Sequence, residues 1–444
     1  MLPSIVTRGH VPKSIEEVTS IAVDNEVDPL AVGVEPEAVE RVWAAVECFY
    51  RDGLNPAIQL CIRRRGEVMI DRAIGYARGA APWDAPDAEK IPITTQTPVN
   101  TFSASKAITA MVMHLLDDEG YLHLDDPVCE YIPEFSAHGK RWITIRHILT
   151  HRAGIPNIPP EAMDLDVLEH PDEILRILCD AHRTSRAGHR LAYHAISGGF
   201  ILGEIVRRVT GDDIRTVLGR KILEPLGFRW TNFGVPPRDV ERVAQSAFTG
   251  VAVVPPASWL FRRFLGVPFE WVPELGNDPR YLTAIIPSGN IVSNANELSR
   301  FYELLLAGGE LDGVRVFQPR TVRRAVAEQS YLEFDLSLAM PVRYGMGFML
   351  GGKRISFYGP DTPHAFGNIG FITILAWADP ERRISAALVT TGKPFLYPEM
   401  RHFSDITRQI SEAFPKEAGF DWWGSLSNDG SARSRSAIDD PQLR

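Results

Sequence analysis

A serine and a lysine three residues apart are the side chains in this sequence best suited to covalent chemistry. Ser103 and Lys106 lie in the segment 101–106, which reads TFSASK, at the start of a run of apolar residues with helical spacing. On a helix the two positions share a face, so the amine can take the proton of the hydroxyl if burial lowers the pKa of the lysine. Ser-x-x-Lys arises often by chance in a long chain. The prediction of a nucleophile therefore depends on its setting, at the start of a buried helix.

The elements that must position this pair follow from the periodicity of apolar residues. The helix that begins near Ser103 is predicted to run up to Gly120, a residue type that commonly ends helices. Further helices are predicted at 35–51, 171–181, 196–209 and 296–307. A β-hairpin is predicted from 57–63 and 67–74 around an Arg-Gly turn, and strands are predicted at 345–350, 371–378 and 384–390.

Composition and charge narrow the class of protein. The formal net charge of the 444 residues is −9, which argues against nucleic acid as a main partner. No apolar run has the length of a membrane-spanning helix, and the first residues lack a basic start followed by an apolar core. The four cysteines are widely spaced, which favours free thiols in a reducing compartment. A cytoplasmic protein is expected, with peripheral contact to a membrane or to the cell envelope as the open alternative.

Two histidines have the spacing of a zinc site. His147 and His151 are four residues apart, which on a helix can hold a metal ion. No glutamate occupies the place that it takes in a His-Glu-x-x-His motif, and no third ligand lies nearby in the sequence. Both histidines are therefore interpreted as structural, and neither a metal nor a cofactor is expected.

The segment 248–280 differs from its surroundings because it is aromatic and broken by prolines. A packed loop over a cleft is the favoured interpretation, in which Trp259 and Phe264 line a pocket for an acyl chain. The alternative is a binding lid or a surface that touches membrane lipid, since exposed apolar patches usually mark contacts.

Together these residues resemble the serine β-lactamase-related hydrolases, which include class C β-lactamases, D-alanyl-D-alanine carboxypeptidases and family VIII carboxylesterases. The similarity covers roughly residues 35–415. It rests on the SASK tetrad, on residues 143–156 (ITIRHILTHRAGIP) and on residues 305–316, which contain GGELDG. Two motifs match imperfectly. Tyr193 begins Tyr-His-Ala where the family often has Tyr-x-Asn, and Asn368 begins Asn-Ile-Gly where it has Lys-Thr-Gly or His-x-Gly.

The resemblance implies an α+β fold, an α/β/α sandwich in which helices flank an antiparallel sheet and an all-helical lobe is inserted. The expected parts are an N-terminal arm at 1–33, a sheet-containing lobe from 34–100 and 285–418, a mainly helical lobe at 101–284 that includes the insertion 248–280, and a disordered tail at 419–444. The active cleft would run between the two lobes.

The resemblance also implies roles for individual residues. Ser103 would be the nucleophile, and Lys106 with Tyr193 would move the proton, with the formal base left open. If the tyrosine were the base, a nearby lysine cation would have to lower its pKa. The backbone amides of Ser103 and Phe371 would hold the oxyanion. The residues expected to contact substrate are His194, Asn368 and Gly370, together with Trp259 and Phe264 of the insertion.

The expected function is hydrolysis of a small-molecule carboxylic ester with a short to medium acyl chain, through an acyl-serine intermediate. The neutral Asn368, and Ala195 in place of an asparagine, weaken the case for substrates that carry a carboxylate. No Gly-x-Ser-x-Gly elbow is present, which disfavours an α/β-hydrolase. A β-lactamase or D-alanyl-D-alanine peptidase and a non-catalytic binding protein remain as alternatives, and the oligomeric state is open.

Overall fold

A ten-stranded antiparallel sheet forms the centre of the computed structural model, which describes residues 6–156, 165–395, 400–419 and 421–425, without the side chains of residues 263, 264 and 425. In spatial order the strands are Ser330–Asp335, Met340–Tyr344, Met349–Leu350, Phe366–Gly370, Ile374–Asp379, Ile384–Thr390, Ala57–Arg64, Glu67–Arg78 and Thr19–Ile21, and Ile91–Pro92 pairs with Glu67–Arg78. The two halves of the chain meet inside this sheet, where Ala387 lies opposite Cys61. The predicted sheet, built from both ends of the chain, is confirmed.

Helices cover both faces of the sheet. On one face, Pro36–Arg51 packs beside Met400–Ala413, and their apolar stripes form one core with sheet residues such as Trp377. On the other face lie Ser105–Asp118 and Ala295–Leu306. Because each helix has an apolar stripe, it must bury that stripe against the sheet. The predicted nucleophile Ser103 and its neighbour Lys106 therefore lie at the start of a helix that is packed against the sheet.

The remaining elements connect and extend these layers. The further α-helices are Val128–Tyr131, Ile145–Leu149, Pro171–Asp180, Ser197–Thr210, Ile214–Leu218, Ala257–Leu265, Trp271–Leu275, Pro279–Thr283, Pro319–Val326 and Trp422–Ser425. The short strands outside the main sheet are Val6–Thr7, Ala247–Val251 and Gly392–Pro394, then Val99–Asn100, Asn232–Phe233 and Ile291–Ser293, and the pair Glu310–Leu311 and Val314–Arg315. Single helical turns occur at Glu16–Val18, Pro29–Val32, Phe102–Ala104, Pro133–Ser136, Leu165–Glu169, Gly219–Leu223, Glu224–Leu226 and Pro237–Arg242.

The predicted helices are confirmed to within two residues at each end for 35–51, 171–181, 196–209 and 296–307. The predicted hairpin is confirmed as well. Its two turn residues, Arg65 and Gly66, both have positive φ, 54° and 89°, as a tight turn between right-twisted strands requires.

The predicted strand at 371–378 is wrong at its start, because the strand begins at Ile374. Phe371 and Ile372 instead form a turn with φ of 22° and 75°. Gly370 directly precedes the turn, but Phe371 and Ile372 are of types typical of strands, and the prediction followed those types. Tertiary contacts hold the turn, among them a hydrogen bond from Thr373 Oγ1 to the carbonyl of Gly392 at 3.0 Å.

The predicted strand at 345–350 is also too long, since only Met349–Leu350 pairs. Gly347, with φ of 99°, passes so close to the helix Ser105–Asp118 that an added Cβ would lie 2.1 Å from that of Ala110. This close approach replaces strand pairing. The hairpin Ser330–Asp335 and Met340–Tyr344 was not predicted.

The insertion 248–280, predicted as a packed loop, contains the helices Ala257–Leu265 and Trp271–Leu275. The tail predicted at 419–444 lies outside the described residues except for 419 and 421–425. Within the described ranges no helix is both long enough and apolar enough to cross a membrane.

Candidate active site

The nucleophile candidate sits at a junction between two kinds of helix. The turn Phe102–Ala104 runs directly into the helix Ser105–Asp118. Phe102 has φ of 47°, a conformation that costs a residue with a side chain about 1–3 kcal/mol. Ser103, the next residue, is partly exposed. The strained residue therefore presents the Ser103 hydroxyl at the helix start.

The second serine of the tetrad has a different environment. Ser105 is fully buried. Its Oγ donates to the carbonyl of Phe102 and accepts the amide of Ile291 at 2.9 Å. These hydrogen bonds fasten the start of the helix to the strand Ile291–Ser293, so Ser105 is occupied with structure, which leaves Ser103 as the available hydroxyl.

Lys106 is brought to Ser103 as the spacing predicts. Its Nζ lies 3.1 Å from Ser103 Oγ and 2.9 Å from the carbonyl oxygen of Ser288. Burial lowers the pKa of Lys106 to about 7. At neutral pH a substantial fraction of the amine is thus uncharged and able to accept a proton.

Tyr193, which lies 90 positions further along the chain, joins the same cluster. Its hydroxyl lies close enough to the Ser103 side chain to interact with it, and its ring centre lies 4.8 Å from Lys106 Nζ. Burial raises the pKa of Tyr193 well above its ordinary value, and the carboxylate of Asp335 raises it further. A tyrosine base would need a lowered pKa, and burial shifts the pKa of Tyr193 in the opposite direction. The environment keeps the phenol protonated.

His194 is fully buried behind the tyrosine and braces the backbone. Its Nε2 accepts the amide of Ile155 at 3.2 Å, and its own amide donates to His151 Nδ1 at 3.2 Å. Burial lowers the pKa of His194 to about 4, so the ring is neutral at pH 7. The described contacts of His194 are structural, and its contact with substrate stays a prediction.

A turn of the sheet lies beside the nucleophile. Gly370 ends the strand Phe366–Gly370 so close to the chain that an added Cβ would lie 2.1 Å from the carbonyl oxygen of Thr101. The ring of the next residue, Phe371, lies 5.6 Å from that of Phe102. The Phe371 backbone is therefore near Ser103, where an amide could face a developing oxyanion. That role stays a prediction.

The amide of Asn368 lies in the interior on the same strand. The side chain is 3% exposed. Its Oδ1 accepts the amide of Ile369 at 2.9 Å, and its Nδ2 approaches the carbonyl oxygen of Gly347 at 3.5 Å. Asn368 therefore places a neutral amide on this strand, where the family has a lysine or a histidine.

The aromatic insertion reaches the site through a residue that was not predicted. Phe269 is buried, and its ring stacks on that of Phe371 at 4.7 Å. Trp259 is 70% exposed, and the side chain of Phe264 lies outside the described part. Phe269 therefore forms an apolar contact between the insertion and the turn at Phe371.

Two further groups near the pair were also missed. Ser288 supplies the carbonyl that holds Lys106, and Asp335 accepts the amide of Tyr193 at 3.0 Å. A lone aspartate between Phe334 and Leu336 is a weak sign of a buried acid. Nothing in the sequence marks the Ser288 carbonyl, since its position depends on the path of a loop.

The two histidines with zinc spacing make other contacts. His147 Nδ1 caps its own helix by accepting the amide of Thr144 at 3.1 Å, and His151 Nδ1 accepts the amide of His194. Within the described residues no three His, Cys, Asp or Glu side chains are grouped so that they could hold a metal ion.

Comparison with protein families gives one match that spans most of the chain. The family model described as Beta-lactamase matches residues 44–406. The esterase/beta-lactamase LipL of Mycobacterium tuberculosis is 30% identical over 394 residues, which cover 83% of this chain and 87% of LipL.

Solved structures agree with this match. A penicillin-binding protein homologue from Caulobacter crescentus has a TM-score of 0.73 at 28% identity, with 86% of this chain and 99% of that chain covered. A family VIII carboxylesterase has a TM-score of 0.72 at 25% identity, with 84% of this chain and 98% of that chain covered.

Proposed function

Since the chain belongs to the Beta-lactamase family of serine hydrolases, we propose that it hydrolyses small carboxylic esters through an acyl enzyme formed on Ser103. The observation that carries the proposal is the cluster in which Ser103 Oγ accepts a hydrogen bond from Lys106 Nζ at 3.1 Å and Tyr193 lies beside both residues. A nucleophile, a neutral amine and a protonated phenol are then within reach of one carbonyl carbon.

In the acylation step, neutral Lys106 accepts the proton of Ser103 while Oγ attacks the ester carbonyl. The carbonyl oxygen gains negative charge and is held by the backbone amides of Ser103 and Phe371. When the bond to the alcohol breaks, Tyr193 donates its proton to the leaving oxygen and is reprotonated by the lysine ammonium. The products are the acyl-serine and the free alcohol, and both catalytic side chains regain their starting states.

Deacylation uses Lys106 and Ser103 again, with water in the place of the alcohol. Water attacks the acyl carbonyl and gives its proton to neutral Lys106, and the proton then passes to Ser103 Oγ as the acyl bond breaks. Lys106 is the formal base in both steps because burial brings its pKa to about 7 and raises that of Tyr193.

The preference for esters follows from two neutral positions. Recognition of a β-lactam or a D-alanyl peptide requires a cation or strong donors for the substrate carboxylate, and a charge-assisted hydrogen bond is about twice as strong as a neutral one. This chain has Asn368 and Ala195 at the two positions concerned. A neutral ester needs neither, since backbone amides hold its carbonyl.

For the acyl side of the substrate, we infer an apolar wall that includes Phe269. Its ring already packs against Phe371 beside the oxyanion turn. Each Å² of acyl surface that such a wall covers contributes about 25 cal/mol. Short to medium acyl chains are the substrates that this wall favours.

A second candidate is a β-lactamase or D-alanyl-D-alanine peptidase. It is supported by the similarity of the chain to LipL, an esterase/beta-lactamase, and to the penicillin-binding protein homologue. A member of the family that binds without catalysis is the third candidate.

A panel of nitrophenyl esters from acetate to decanoate, measured beside a chromogenic cephalosporin, tests the proposal. We expect kcat/KM to be higher for the best ester by about 10³-fold, if about 4 kcal/mol of carboxylate anchoring is absent. Asn368→His should raise cephalosporin turnover more than ester turnover, and Asn368→Gln, which stays neutral, is the control. Comparable efficiency on both classes would favour the second candidate, and no turnover of either would favour the third.

The pH dependence of acylation follows from the lysine. Because only neutral Lys106 accepts the proton and its pKa is about 7, the rate of Ser103 labelling by a fluorophosphonate should rise about tenfold between pH 6 and pH 8 before it levels off. Intact mass at timed intervals gives the rate. A labelling rate that is constant from pH 5.5 to pH 9 would contradict Lys106 as the base.

A further inference from the structure

A buried carboxylate that none of these steps uses lies behind the tyrosine. Asp335 ends the strand Ser330–Asp335 and is fully buried. Its Oδ1 accepts the amides of Tyr193 at 3.0 Å, Ser337 at 2.8 Å and Leu338 at 3.0 Å. Its Oδ2 accepts the hydroxyl of Tyr344 at 3.2 Å. Both oxygens therefore have donors, and one donor belongs to the tyrosine of the proposed reaction.

The charge of this carboxylate is not neutralised by a direct partner. Within the described residues its hydrogen-bond donors are three amides and one hydroxyl, none of them cationic. A buried carboxylate is costly unless its hydrogen bonds are complete, and those of Asp335 are. The negative charge of Asp335 therefore disfavours a second negative charge nearby, and it raises the pKa of both Tyr193 and Tyr344.

The hairpin that carries Asp335 is joined to the tyrosine segment at several points. The amide of Leu336 donates to the carbonyl of Leu191 at 3.0 Å. The His151 ring lies 4.7 Å from the Tyr193 ring and 5.0 Å from the Tyr344 ring. A strand at the edge of the sheet thus fixes the backbone that presents the Tyr193 hydroxyl to Ser103.

We propose that Asp335 is a positioning residue that anchors the Tyr193 backbone and, through its negative charge, keeps the Tyr193 hydroxyl in the protonated form that donates to the leaving alcohol. This inference rests on the proposed function, in which Tyr193 is the donor. The titratable groups packed around the Tyr193 side chain are Lys106, His151, His194, Asp335 and Tyr344. Burial lowers the pKa of both histidines, so in the alkaline range Asp335 is the charged member that opposes ionisation of the phenol.

Asp335→Asn separates charge from geometry. The amide oxygen can still accept the three backbone N–H groups, and the negative charge is removed. The amide nitrogen takes the place of Oδ2, so the Tyr344 hydroxyl, which donates to Oδ2 in the parent, must accept from the asparagine instead. The value of kcat/KM for an alkyl ester, whose leaving oxygen needs the Tyr193 proton, is followed from pH 6 to pH 11. Its acid limb should stay near pH 7, since the pKa of Lys106 is set by burial. The fall in kcat/KM at the alkaline end should begin at a lower pH than in the parent, because the phenol ionises more readily without the carboxylate.

Asp335→Ala removes both effects. The loss of the anchor should lower kcat by about 10²-fold with KM within about twofold, which is the size of effect that a small misplacement of a catalytic group produces. If this variant or the asparagine variant does not fold, Tyr344→Phe tests the same point. It leaves Oδ2 without its donor, so the stronger field should move the alkaline limb to higher pH.

Asp379→Asn is the matched control. Asp379 is another fully buried aspartate, paired with Arg382 at 2.9 Å and located on the strand Ile374–Asp379. Its replacement should lower Tm but leave the pH profile of kcat/KM for the alkyl ester unchanged. Superimposable profiles for the parent and Asp335→Asn, or an equal shift in Asp379→Asn, would overturn the inference. A parent protein that is not labelled on Ser103 would instead overturn the proposed function.

Discussion

Replacing Ser103 with alanine is expected to lower kcat for nitrophenyl ester hydrolysis by about 10⁴-fold or more, because it removes the hydroxyl that lies 3.1 Å from Lys106 Nζ. The same variant should lose the single adduct that a fluorophosphonate leaves on the parent protein, as seen in intact mass. Residual turnover would come from the oxyanion amides and from substrate binding alone.

Ser105→Ala provides the control within the same tetrad. Ser105 is fully buried and hydrogen bonded to the backbone at Phe102 and Ile291. Its loss should reduce stability by about 1–3 kcal/mol and leave the adduct on Ser103. If labelling survives in Ser103→Ala, or disappears only in Ser105→Ala, then Ser103 is not the nucleophile.

Lys106→Ala and Tyr193→Phe are expected to lower kcat by about 10³-fold each, and the double variant should be little worse than either single one. The two groups move the same proton, so removal of one leaves the other without its partner, and groups that act as a unit lose activity non-additively. The measurement is a double-mutant cycle on kcat with one nitrophenyl ester.

Two buried residues away from the site serve as controls for this cycle. Lys140 is fully buried and bound to the carbonyl of Cys179 at 2.8 Å, and Tyr358 donates its hydroxyl to the carbonyl of Met349 at 3.1 Å. Lys140→Ala and Tyr358→Phe should reduce stability with little change in kcat. If the fold losses in kcat of the two single variants multiply in the double variant, the two residues act independently, and Tyr193 has only a structural role.

The parts of the site that are local in sequence could be predicted from it. The spacing of Ser103 and Lys106 fixes their shared helical face, and the structure places their side chains 3.1 Å apart. Tyr193 could be found only through the resemblance to a family, because 90 residues separate it from Ser103. The amphipathic helix 35–51 and the Arg-Gly hairpin were predictable for the same local reason.

What the sequence could not predict depends on long-range packing. The turn at Phe371 lies inside an apolar run and is held by the rings of Phe102 and Phe269. The direction of the Tyr193 pKa shift depends on how completely the phenol is desolvated and on the nearby charge of Asp335. Neither quantity can be computed from residue types alone.

The central claim, that an ester is cleaved through an acyl group on Ser103, is tested most directly by trapping that group. The unmodified protein is mixed with an excess of a short-chain nitrophenyl ester, whose good leaving group makes acylation faster than deacylation. The mixture is then quenched with acid at short times and digested for peptide mass analysis. The predicted result is one acyl group per protein, on the peptide that contains Ser103 and on that residue. An acyl group on any other residue, or turnover of the ester without an acylated Ser103 at any quench time, would contradict the account.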